Sequence, residues 1–376
     1  MMSRERLGRE GGSPTGTALP TDSRRATIHD VAREAGVSVS AVSKVLRDAY
    51  GVSPEMQAKV GAAIEKLGYR PQTAARAMRG RSYTIGVMIL EMSSPFQPEI
   101  VQGITDELEP TPFQEILVVP GVSPQRQQRG IEALVDRQVD GLILIAPWTS
   151  ASWLESLAAS VPTVVIARHG GAARFDTVVD NDFEGAGLMV DHLAALGHTR
   201  IVHTSMPAGG LKRPFVLSHT ARCDGYVRAM KRHGLTPDVI MTSYSEQGGY
   251  DAAVKALERP TPPTAIFAGA DIAALGVLRA AEERGIRIPG DLTVTGYDNI
   301  YPSTIGRVSL TTVDQSGHLT GSMSAKLLME RITGRTQPIH SVISPRLVVR
   351  GTSAPPAADV PALAPAPTRT PQTQVS

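Results

Sequence analysis

Apolar positions between residues 27 and 80 recur at helical spacing, and no stretch there alternates as a strand would. Ile28, Val31, Ala32 and Ala35 fall at i, i+3, i+4 and i+7, the stripe of a short helix with Thr27 as its cap and Asp30 in its first turn. Gly36-Val37-Ser38 predicts a tight turn, Gly36 taking a left-handed position and Ser38 capping a second helix over 39–46. That helix turns Val42, Val45 and Leu46 inward and leaves Val39, Ser40, Ser43, Lys44 and Arg47 as one outward face. Ser53-Pro54-Glu55 opens a third helix, which ends at Gly68. From Tyr83 the rhythm changes to short β-branched runs alternating with helical segments. Strands are expected at 84–90, 116–119, 141–146, 163–167, 200–204, 264–268, 292–296 and 342–349, and helices at 124–137, 184–196, 222–233, 247–257, 272–284 and 317–332. Such alternation predicts parallel sheets covered on both faces, here two doubly wound domains with a crevice at the carboxyl ends of their strands.

Charge separates the two regions. Residues 24–81 carry 11 Lys and Arg against 5 Asp and Glu, a balance of +6 within a chain whose net charge is only +2. A basic module on a mildly acidic body suggests a polyanion partner for the front end, although clustered surface charge alone would look the same. The outward face of the second helix, small residues ending in cations, suits a DNA major groove. Residues 71–79 are too short to hold a helix alone. They are either a flexible linker or a segment that folds against a partner copy or a minor groove, with Met78 as an apolar wedge and Arg76 and Arg79 on phosphates. Residues 1–24 and the proline-rich 352–376 read as a disordered leader and tail.

These motifs resemble the LacI/GalR family of bacterial transcriptional regulators. The resemblance rests on Thr27-Ile28-His29-Asp30-Val31-Ala32-Arg33-Glu34-Ala35-Gly36-Val37-Ser38, Val42-Ser43-Lys44-Val45-Leu46 and Gly68-Tyr69-Arg70-Pro71. It continues through Ser94-Pro95-Phe96, Val139-Asp140-Gly141, Val179-Asp180-Asn181, Arg222-Cys223-Asp224-Gly225-Tyr226 and Gly296-Tyr297-Asp298. It implies a multi-domain chain: an all-α helix-turn-helix DNA-binding domain (25–70), a hinge (71–81), and an α/β core of two Rossmann-like subdomains (82–351) similar to periplasmic binding proteins. The implied partners are a second copy, a palindromic double-stranded operator and a small-molecule effector. By position Val39, Ser40 and Lys44 would read bases, and Thr27, Ser38 and Ser43 would meet phosphates. Ser94, Phe96, Arg222, Asp271 and Asp298 would line the effector site. Arg222 could alternatively pair on the surface with Asp224 or Asp182, and Phe96 could be simple core.

Several positions depart from the family pattern. Lys44 stands where Arg is common, Ala41 where Thr is common and Met78 where Leu is common. Ala270-Asp271 replaces the usual Asn-Asp, and Ile166-Ala167-Arg168 replaces Val-Asp-Arg. Fewer polar groups weaken the case for a densely hydroxylated sugar and leave a nucleobase, a modified sugar or an acid; Arg168 beside Arg222 favours an anion. A carrier of small molecules without DNA binding is the alternative function. No phosphate loop, zinc motif or serine elbow occurs, and Gly185-Ala186-Gly187 lies in a helical pattern. His192, His198 and His203 read as surface histidines rather than metal ligands. One cysteine, Cys223, excludes an intrachain disulfide and is expected to pack rather than react. With no apolar run of about 18 residues and no signal-like start, a cytoplasmic protein without catalytic activity, cofactor or metal is expected.

Overall fold

The computed structural model describes residues 26–46, 52–69, 81–207 and 216–357. The chain divides into two compact units, Met1–Gly80 and Arg81–Ser376.

In the first unit, α1 (Ile28–Ala35), α2 (Val39–Val45) and α3 (Pro54–Leu67) begin and end where their caps dictate. Thr27 and Asp30 form a reciprocal capping box, and Gly36 takes φ 67°, a conformation that costs other residues. Ser38 and Ser53 accept from the amides of Ala41 and Met56. Val31, Ala32, Val42, Val60, Ala63 and Tyr69 form the buried centre. Val39, expected on the outward face, instead packs half-buried against that centre.

The second unit has two lobes. The first contains β1 (Thr84–Met88), α4 (Phe96–Leu108), β2 (Gln114–Val118), α5 (Pro124–Val135), β3 (Gly141–Ile145), α6 (Ala151–Ala158), β4 (Thr163–Ile166), β5 (Arg168–His169) and β6 (Asp176–Asp180). The second contains α7 (Asp182–Ala195), β7 (Ile201–Ser205), β8 (Val216–Leu217), α8 (Ser218–Arg232), β9 (Asp238–Met241), α9 (Glu246–Leu257), β10 (Ala265–Ala268), α10 (Asp271–Glu282), β11 (Thr293–Thr295), α11 (Tyr301–Thr304) and β12 (Thr312–Asp314). The chain then returns through α12 (Gly317–Ile332) and β13 (His340–Ile343) to the first lobe, and β14 (Arg346–Val348) pairs antiparallel with β12. The resulting sheets are parallel, ordered β2-β1-β3-β4-β6-β13 and β9-β7-β10-β11. Thus the chain passes between lobes at 180–182, 314–317 and 343–346.

Three expectations need correction. The strand expected at 342–349 is two strands in different sheets, broken at Ser344-Pro345, where proline lacks a ladder donor. The Asp176–Asp180 strand was not anticipated, because an aspartate at each end masks a buried apolar run. Asp176 is fully buried and takes hydrogen bonds from Arg335 and the Ile339 amide, with Arg331 at 2.9 Å. The tail expected from Thr352 is built into the second lobe at its start: the Thr352 carbonyl accepts from the Val294 amide, and the Ala354 carbonyl accepts from Thr293 Oγ1. Of the remaining terminal and hinge assignments, 1–25, 70–80 and 358–376 lie outside the described residues.

Helices α4 and α12 meet backbone to backbone. A Cβ on Gly103 would lie 2.0 Å from the His318 carbonyl oxygen, and one on Gly321 would lie 1.9 Å from that of Ile100. Neither neighbour is a side-chain tip that can rotate away. Gly321→Ala is therefore expected to destabilise the body by about 1–3 kcal/mol, the usual cost of overpacking. A urea midpoint equal to that of the unsubstituted protein would refute this close-packing account.

Candidate functional site

Two surfaces carry candidate chemistry, one in each unit. On the helical unit, Ser40 and Lys44 are exposed on α2, while Ser43 is half-buried. Thr27 and Ser38 are engaged as caps, and Ser38 Oγ also lies 2.8 Å from Ser40 Oγ. Arg33, Lys59 and Lys66 pair with Asp30, Glu55 and Glu34 on the surface. Lys44 has no ion pair with another described residue. Arg47, Arg76, Met78 and Arg79 lie outside the described residues.

In the body, a cavity of about 310 Å³ opens at the carboxyl ends of the strands, the position expected for doubly wound sheets. Of the six anticipated effector residues, Ser94, Phe96, Arg222 and Asp298 line it. Arg168 and Asp271 do not. Arg168 is buried and donates to the carbonyls of Pro147 and Thr149, so its guanidinium holds the turn after β3. Asp271 is fully buried beneath the wall, where it accepts from the Ile300 amide, Ser303 Oγ and Thr312 Oγ1. Phe96 both lines the cavity and packs on the first lobe's core.

Arg222 pairs with Asp182, one of its two candidate partners, but in the interior rather than on the surface: Nη2 to Oδ1 is 2.8 Å, and Arg222 is only 3% exposed. Its Nη1 also donates to the Gly269 carbonyl, and its guanidinium lies 3.6 Å from the Tyr297 ring centroid. Burial opposes the charge on Asp182, but Arg222 and His169 outweigh it and hold that carboxyl below its ordinary value. Two residues earlier, burial and then repulsion from Asp182 push Asp180 up to about 7. Burial, resisted by Arg222 and reinforced by Asp271, drives Asp298 well above the carboxylate range.

Trp148, Tyr244, Gln315 and Asp180 also line the cavity and were not anticipated. All sit just beyond or at a strand's carboxyl end, so the crevice rule already used for the fold would have indicated them. Trp148 is one of two tryptophans in the chain, and its amide is held by the buried Gln127 side chain. Ala146 (φ 44°), Ala167 (φ 57°) and Asp298 (φ 125°) occupy left-handed backbone on the cavity wall, the sort of strain that collects at sites.

The histidines are not surface residues. His203 is fully buried against the Phe267 carbonyl and pushed down to about 3 by burial, His198 is buried and bonds Thr264 and Ala354, and His192 is half-buried. Burial raises the Cys223 thiol, so it is not an activated nucleophile. Gly185 sits against Tyr297, whose hydroxyl would lie 2.2 Å from an added Cβ. Among the described residues no helix is long and apolar enough to cross a membrane.

A capped helix-turn-helix followed in sequence by a two-lobed α/β body with a cleft defines the class of ligand-responsive DNA-binding regulators. Residues 27–72 match the model for bacterial regulatory proteins of the lacI family, and 190–353 match a periplasmic binding protein-like domain. The ribose operon repressor of Escherichia coli (strain K12) is 35% identical over 335 residues, spanning 87% of this chain and 100% of that protein. Catabolite control protein A of Priestia megaterium is 34% identical, over 82% of this chain and 93% of its own. A crystal structure of the lac repressor dimer bound to operator and the anti-inducer ONPF matches with TM-score 0.75 and 26% identity, covering 88% and 100% of the two chains. The chain belongs to the LacI family of bacterial regulatory proteins.

The raised Asp180 fixes a pH dependence. A carboxyl whose folded value exceeds its unfolded one contributes stability that is whole below the ordinary 3.8 and gone once the pH passes about 7. Asp180→Asn removes this contribution, so the variant's melting temperature is expected to decline less than the parent's between pH 4 and 7. Parallel melting curves across that range would contradict the assignment.

Proposed function

We propose that this protein is a transcriptional repressor that binds a palindromic operator as a homodimer, with its hold on DNA set by a small-molecule effector in the cleft. The observation that carries the reading is the pairing, in one chain, of an exposed cation on α2 that has no ion pair among the described residues with a cleft built around a buried arginine. The ribose operon repressor supports the regulatory role, and the operator-bound lac repressor dimer supports both the DNA partner and the two-copy state. Ser40 and Lys44, both exposed on α2, are assigned to base edges. Val39 reaches DNA only along the flank of its helix, because its side chain is partly spent on the core. Thr27, Ser38 and Ser43 are assigned to phosphates, joined by Arg76, with Met78 as the wedge. In the cleft, Arg222 and Asp298 hold the effector's polar groups, while Ser94 and Phe96 meet it from the first lobe.

Electrostatic binding of this kind makes log K fall linearly with log salt, with a slope of about −0.9 for every phosphate neutralised. On a duplex selected by the protein from a random pool, Lys44→Ala is expected to cost about 1–3 kcal/mol and relax the sequence preference. Arg222→Lys is expected to leave that binding intact and blunt its response to effector. A protein that shows no salt-dependent binding to any selected duplex would instead be a carrier of small molecules.

A further inference from the structure

The cleft's two walls differ in balance: the first lobe adds Glu91, Ser94 and Gln97 to a mainly apolar face, and the second adds Met206, Leu217 and Ile272 to its charged groups. The first lobe contributes Phe96, Ile100, Ile145, Trp148, Ile166 and Ala167, a mostly apolar surface. The second lobe and the first crossing contribute Arg222, Tyr244, Asp298 and Asp180. Both positions where this chain departs from the sugar-binding pattern, Ala167 and Ala270, line the cavity, so the polar groups lost in sequence are lost from the site itself.

Among the described residues, the charges of the lining are set against an anion. Arg222 is the cavity's single guanidinium among the described residues, and Asp182 and the Gly269 carbonyl already meet it. Arg168, which would have doubled the positive charge, is turned to carbonyls behind the wall. A carboxylate or phosphate would also face Glu91. Burial favours the uncharged form of Asp180 and Asp298, so the site is not arranged for a cation either. Among the described cavity-lining residues, the buried polar atoms without a protein partner include Arg222 Nε, a donor, and Asp180 Oδ1. Buried polar atoms are seldom left so. A hydroxyl, or the N–H and C=O of an amide, would satisfy both.

We propose that the cleft takes an uncharged amphipathic molecule, with a hydroxyl- or amide-bearing head between Arg222 and Asp180 and an aromatic body against Phe96 and Trp148. This rests on the reading of the cleft as an effector site and names the chemistry of what fills it. Bare polyhydroxylated sugars are the poorer ligands, because the apolar wall would strip water from their hydroxyls without replacing its hydrogen bonds.

The test is calorimetry and thermal shift on the full chain with matched probes: D-ribose against adenosine, methyl against 4-nitrophenyl β-D-glucoside, and benzoate against benzamide. In each sugar pair that binds, the aromatic member is expected to bind at least tenfold tighter, and benzamide at least tenfold tighter than benzoate. Trp148→Ala should erase the aromatic advantage. The double variant Ala167→Asn with Ala270→Asn should shift preference toward the bare sugar by tenfold or more; asparagine tolerates the left-handed backbone at 167. A bare sugar binding as tightly as its aromatic partner, or benzoate binding tighter than benzamide, overturns the proposal and leaves the effector reading standing. Absence of binding by all six probes overturns both.

Discussion

Burying one guanidinium beside the junction of two lobes governs much of what surrounds it. Arg222 lies on α8, and its partner Asp182 is the first residue of α7, immediately after the chain leaves the first lobe. Taking either charge out of water costs several kcal/mol, and only close pairing with further hydrogen bonds offsets this. Asp182 must therefore stay ionised, held by Arg222 on one oxygen and by His169 at 2.9 Å on the other. Asp180, two residues away, is shifted upward by its own burial and then by repulsion from Asp182, while Asp182 is shifted down. Tyr297 lies between them, its ring beneath the guanidinium and its hydroxyl donating to Asp180 at 2.5 Å. The space for that ring comes from the missing side chain at Gly185.

The polar wall of the cavity and the crossings between lobes share residues. Asp180 belongs to the cavity and to the first crossing. Gln315 lies on the second crossing and donates to Asp298, whose own amide donates to the Val313 carbonyl. Asp271 secures the same region from below, tying α10 to Thr312 and to the turn at 300–303 that follows Asp298. It thus holds the neighbourhood of the cavity-lining Asp298 without lining the cavity itself.

The helical unit was legible almost residue by residue, because caps are local. Thr27, Asp30, Gly36, Ser38, Ser53 and Pro54 mark their boundaries by chemistry that acts within one turn. The doubly wound architecture was legible from alternation, since most central strands are continuous apolar runs. What escaped depended on distant partners. Asp176 reads as a loop residue until Arg331 and Arg335, more than 150 positions later, neutralise it. Arg168 and Asp271 occupy ligand-like positions in the motif, yet their hydrogen bonds go to Pro147, Thr149, Ser303 and Thr312, which no local spacing reveals. The same holds at Thr352, where a proline-rich stretch begins inside the fold because β11 offers it an unpaired amide.

A ligand shifts an equilibrium between two body shapes only by its difference in affinity for them. Walls contributed by different lobes make that difference unavoidable, since a molecule touching Trp148 and Arg222 together fits one lobe separation better than others. The lobes are also bridged directly where Arg168 and His169 of β5 pair with Leu217 and Val216 of β8. This bridge places His169 on Asp182 and Leu217 on the cavity wall. Any change of angle between the lobes must therefore either carry this short ladder with it or break it. The coupling of about 1–3 kcal/mol typical of allosteric proteins is within reach of so few contacts. The buried pair of Arg222 and Asp182, both in the second lobe, can stay intact throughout, so the costly charge remains paired while Trp148, Phe96 and the ladder change their distance from it.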